Sequence, residues 1–134
     1  MARTRRIKFT DRDAFHHVTS RIAGRRMLLA DPEVKREMLD ALERTAEFSG
    51  VKIGAFAIMD NHFHIILQVP APAGTVPEAE VLRRYASLVG AKASLRLESR
   101  LRNLRAKGDS LAAEGEIARL RARMNELSQF VKTF

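Results

Sequence analysis

The run His62-Phe63-His64-Ile65-Ile66-Leu67-Gln68-Val69 constrains this chain more than any other stretch. From Phe63 onward it is mostly β-branched or aromatic, and Pro70-Ala71-Pro72 stops it, which specifies a strand of ordinary length. Alternate side chains of a strand share a face, so His62, His64, Ile66 and Gln68 point one way and Phe63, Ile65, Leu67 and Val69 the other. The second set is wholly apolar and should face a core. The first sets two imidazoles about 7 Å apart along the backbone, close enough to grip one metal ion or phosphate. A half-exposed strand carrying two solvated histidines has the same pattern. Asp60-Asn61 just ahead read as a turn, which puts the histidines at the strand entrance, near solvent and other loops.

The 134 residues suffice for one domain with a real core but not for two independent ones. The absence of cysteine excludes disulfides, thiolate metal sites and a cysteine nucleophile, leaving histidine, carboxylates and Gln as ligands. No apolar run approaches membrane-spanning length, and no apolar segment follows the arginine-rich N-terminus as in a signal peptide. The expectation is a cytoplasmic protein with no membrane partner. A formal charge of +8, from 24 Lys+Arg against 16 Asp+Glu, makes a polyanion the natural partner, although a merely soluble basic protein has the same balance. Its distribution favours nucleic acid: Arg3, Arg5, Arg6 and Lys8 form a basic arm, followed by Arg12, Arg21, Arg25 and Arg26, whereas acidic residues concentrate in helical segments.

From Ala14 to Ile22 the pattern alternates as a first strand, with Phe15, His17, Thr19 and Arg21 on one face. If that face is shared with His62 and His64, His17 and Arg21 add donors for phosphate; otherwise they are the polar side of a half-buried strand. Gly24-Arg25-Arg26 makes a basic turn suited to a DNA backbone. Asp31-Pro32-Glu33 starts a helix, with Asp31 as N-cap and Pro32 at the first helical position. Val34, Met38, Leu42, Thr45 and Phe48 repeat at helical spacing until Gly50 ends it. Val51 to Met59 reads as a second strand, with Val51, Ile53, Ala55, Ala57 and Met59 sharing one face, joined to the third by a hairpin turn.

Pro70 to Pro77 is a loop, and Glu78 to Val89 a second helix with Val81, Leu82, Tyr85, Leu88 and Val89 on one stripe. Tyr85 is the only tyrosine in the chain. It is either a nucleophile or a core contact with its hydroxyl at the boundary. After Gly90 come two helix-rich stretches broken near Gly108-Asp109-Ser110. The first is dense in arginine, a solvated or a phosphate-binding face. The second repeats Ile117, Leu120, Met124, Leu127, Val131 and Phe134 as a helix-pairing seam does. The division expected is an α+β core over 1–89 and a helical extension or insertion over 90–134.

Met59-Asp60-Asn61-His62-Phe63-His64-Ile65-Ile66-Leu67, together with His17-Val18-Thr19-Ser20-Arg21, resembles the REP-associated tyrosine transposases and their single-tyrosine insertion-sequence relatives, which are HUH nucleases. The likeness covers the first half of the chain. It implies a ferredoxin-like antiparallel sheet with packed helices, in which His62 and His64 hold Mg²⁺ or Mn²⁺ against a phosphate of single-stranded or hairpin DNA. A tyrosine on a later helix then attacks that phosphate. Met124 to Lys132 resembles the lead-in to the family's nucleophile helix, so the expectation is a chain that stops short of that tyrosine and of the last strand, unless it is a remnant without strand cleavage or Tyr85 replaces that tyrosine. A sheet without that strand exposes an edge, inviting a homodimer there or through the C-terminal helix. Three other readings stay open: a DNA-binding module without strand cleavage, a metal-dependent hydrolase using Asp60 as base, and an assembly domain.

Overall fold

The structure, a computed structural model, describes residue 7, residue 9 and residues 11–134. Arg3, Arg5, Arg6 and Lys8 lie outside the described residues. The order of elements is β1 (Ala14–Arg21), a 3₁₀ turn (Ala23–Arg25), α1 (Pro32–Ser49), β2 (Lys52–Ile58), β3 (His62–Val69), α2 (Glu78–Val89), α3 (Ala91–Ala106), α4 (Ser110–Ala122) and α5 (Leu127–Thr133). The chain is an α+β protein built on a three-stranded antiparallel sheet of order β1-β3-β2.

Local chemistry sets the boundaries the sequence implies. Asp31 accepts the Glu33 backbone N–H at 2.8 Å and so caps α1. At the other end Gly50 takes the left-handed conformation, φ 75°, and donates to the Ala46 carbonyl, a conformation without penalty only for glycine. The central strand β3 buries Ile65, Leu67 and Val69 on one face. Against them pack Leu42 of α1, Val51, and Leu127 and Phe130 of α5, with Val18 and Ile53 from the flanking strands. Burial of these side chains stabilises the layer by roughly 1.5–3 kcal/mol each.

Strand β2 departs from strict alternation. Ile53 is opposite Leu67 while Ala55 is opposite Ile66, so Gly54 is an extra residue, a β-bulge. Past it the faces exchange: Ala55 and Ala57 align with Ile66 and His64, while Phe56 and Ile58 align with Ile65 and Phe63. The expected common face of Ile53, Ala55 and Ala57 is thereby corrected. A glycine inside a strand pattern was the available signal.

The C-terminal seam also divides. Asn125 adopts φ 54° and donates its backbone N–H to the Ser49 carbonyl at 2.6 Å and its side-chain amide to the Pro70 carbonyl at 2.7 Å. The helix breaks there. Ile117, Leu120 and Met124 join a second core with Phe48, Val81, Leu101 and Ala113, whereas Leu127 and Phe130 close the first. The seam is satisfied within the chain, and residues of 90–134 complete the core beneath the sheet.

Candidate functional site

On the opposite face of the sheet, no helix packs among the described residues. Phe15, His17, Thr19 and Arg21 of β1 stand opposite Gln68, Ile66, His64 and His62 of β3, and all four β1 side chains are exposed. Three histidines meet there. His17 and His64 are diagonal neighbours across the strand pair, a separation long or aromatic side chains can span. Their rings stack with centroids 5.1 Å apart, and His17 Nε2 lies 2.9 Å from His64 Nδ1. His62 and His64 sit edge to face with centroids 5.2 Å apart. His62 Nδ1 lies 2.7 Å from the side-chain oxygen of Asn61.

The strand entrance is braced by the loop that follows β1. Ile22 and Leu29 donate backbone N–H groups to the carbonyls of Asn61 and Asp60 at 2.8 and 2.9 Å, and Lys35 of α1 donates to the Asp60 carboxylate at 2.8 Å. These bonds lay the 22–30 loop along the Asp60-Asn61 turn. Arg21 is the cross-strand partner of His62; Arg25 and Arg26 stand on the tethered loop, Arg25 at φ 57°. All three are exposed. They gather positive charge beside the histidines, with Phe15 exposed at 70% further along the same face.

Other sequence candidates go elsewhere. Gln68 donates to Asp13 at 3.1 Å, and Asp13 also accepts the Ala71 N–H, so Gln68 is engaged at the far end of the strand. Asp60 is an ion-pair partner and turn residue. Tyr85 packs among the helices, edge-on to Phe48 with centroids 6.5 Å apart, against the second core. The histidines are on the open face of the sheet. The side chain that sequence reasoning passed over is Asn61; a hydrogen-bonding amide next to a candidate ligand was the signal.

Two arginines of the arginine-dense α3 are paired with carboxylates of neighbouring helices. Arg100 pairs with Glu116 and Arg105 with Glu78 and Glu114. The Arg105 hydrogen bond holds the Glu78 carboxyl below its ordinary range. On α2, hydrogen bonds from Arg83 and Arg84 hold Glu80 at about 2. Lys92, Arg96, Arg100 and Lys107 line a shallow groove of about 840 Å³.

No protein-family model, curated protein or solved structure matches this chain. Among the described residues, no set of three or more His, Asp or Glu side chains is arranged to hold a metal ion. The candidate donors on β3 are His62 and His64. A histidine nitrogen binds such ions at about 2.1 Å, which places two ring centroids on one ion roughly 5 Å apart. The 5.2 Å between His62 and His64 meets that requirement.

Proposed function

We propose that this chain is a single-stranded DNA-binding domain of the HUH transposase type, in which His62 and His64 hold Mg²⁺ or Mn²⁺ against a DNA phosphate. The observation that carries the reading is the imidazole pair on the open sheet face, with ring centroids 5.2 Å apart, near Arg21, Arg25 and Arg26. Nitrogen ligands suit the softer of the two ions, Mn²⁺. His62 and His64 would hold the ion, and its chemistry there would be to withdraw charge from a DNA phosphate. The chain's own side chains do the rest of the binding: the three arginines neutralise neighbouring phosphates, and Phe15 offers a ring on which a base can stack. His17 takes part through His64.

The sheet order β1-β3-β2 with α1 crossing from β1 to β2 supports a ferredoxin-like reading of the fold. Tyr85, packed on Phe48, is a core residue in this reading, so the chain binds DNA without cutting it through Tyr85. The test is incubation with labelled single-stranded hairpin DNA and Mn²⁺, resolved on native and denaturing gels. Salt-sensitive binding without a Tyr85-dependent covalent band is expected; absence of binding at low salt overturns the proposal.

A further inference from the structure

We propose that Asn61 and His17 are positioning residues that fix His62 and His64 in the same tautomer, each with its proton on Nδ1 and a bare Nε2. This inference rests on the reading of His62 and His64 as ligands. A neutral imidazole has one N–H and one acceptor nitrogen, and whichever nitrogen is held by a hydrogen bond decides what the other offers. His62 Nδ1 faces the Asn61 oxygen at 2.7 Å. A carbonyl oxygen only accepts, so Nδ1 carries the hydrogen and Nε2 keeps its lone pair.

For His64 the partner is another imidazole, with Nδ1 2.9 Å from His17 Nε2. One proton lies between two nitrogens, and either ring can donate. If His17 donates, the His64 proton sits on Nε2 and that nitrogen cannot ligate. If His64 donates, its Nε2 is free and His17 carries its own proton on Nδ1. Only the second arrangement leaves both members of the pair, at 5.2 Å, with matching free nitrogens. It is the arrangement that metal-bound histidines show, with the second nitrogen donating to a fixed acceptor. The two acceptors come from different places: Asn61 from the turn ahead of β3, His17 from the middle of β1.

Long-range proton–nitrogen correlation spectra of the full chain, labelled with ¹⁵N-histidine and recorded without metal in alkaline buffer, read the tautomers directly. His62 and His64 are expected to show an unprotonated Nε2, and His17 an unprotonated Nε2 with its proton on Nδ1. Asn61→Ala should return only His62 to the Nε2–H form that free histidine favours, and His17→Phe only His64. His17→Gln, whose carbonyl can accept, should restore His64. Mn²⁺ affinity, measured by calorimetry, should fall about 10–100-fold in the first two variants and recover in the third. A wild-type His64 protonated on Nε2 overturns the proposal. So does a His17→Phe protein that loses all Mn²⁺ binding while His64 keeps its tautomer, because His17 is then a ligand itself. The expected tautomers with no Mn²⁺ binding by the wild type would instead end the metal reading and leave the hydrogen-bond arrangement standing.

Discussion

Lys35 Nζ stands 2.8 Å from Asp60 Oδ1 and joins the first turns of α1 to the turn that delivers His62. The pair is partly solvated, with side-chain exposures of 31% and 57%, so its direct worth is small. Lys35→Met is expected to lower stability by no more than about 1 kcal/mol in urea unfolding. Its larger effect should be local: faster hydrogen exchange of the Leu29 amide, which bonds to the Asp60 carbonyl.

Metal and DNA affinity should separate by residue. His62→Ala with His64→Ala is expected to abolish Mn²⁺ binding in calorimetry while leaving hairpin affinity mostly intact, because phosphate contacts elsewhere dominate. Replacing Arg21, Arg25 and Arg26 by Gln should do the reverse. If each contacts one phosphate, the slope of log affinity against log salt falls by about 2, at about 0.7 per single-strand contact.

Tyr85 should behave as a packing residue. Tyr85→Phe is expected to leave DNA binding unchanged, and Tyr85→Ala to cost roughly 2–3 kcal/mol, below the range for a fully buried aromatic. Thermal unfolding and a denaturing-gel assay for protein-linked DNA check the two halves; a covalent band lost in Tyr85→Phe would make it the nucleophile.

Glu80 supplies a pH dependence. Its carboxyl is held at about 2, against an ordinary 4.5, first by the Arg83 hydrogen bond and then by that of Arg84. A depressed carboxylate stabilises the fold above its unfolded value and loses that contribution as pH falls through the folded one. Wild type is therefore expected to lose stability between about pH 4.5 and 2 more steeply than Glu80→Gln, read by thermal midpoint across that window.

Much of the α+β plan was legible because its signals are local. Asp31, Pro32 and Gly50 bound α1, and the alternation in β3 separates a buried face from a histidine face. The bulge was missed because a periodic reading assumes every residue of β2 occupies one place in the ladder, and Gly54 does not. The α4–α5 break was missed for a different reason. Met124 and Leu127 continue the apolar spacing, and only the contacts of Asn125 with Ser49 and Pro70, distant in sequence, turn the chain. At the site, strand parity put His62 and His64 on one face of β3 and left open whether His17 of β1 shares it. The bond between His17 and His64 needed the register of β1 on β3.

The bulge in β2 has a consequence for how copies of this chain can meet. Both outer strands lack a neighbour among the described residues, but they are unequal as templates. Strand β2 is interrupted at Gly54, and irregular edges resist pairing, whereas β1 runs for 8 residues without a break. Among the described residues, β1 is thus the more regular of the two edges. Two chains joined β1 to β1 about a twofold axis would use up both regular edges and leave only the irregular ones outside. Such growth would terminate at a pair.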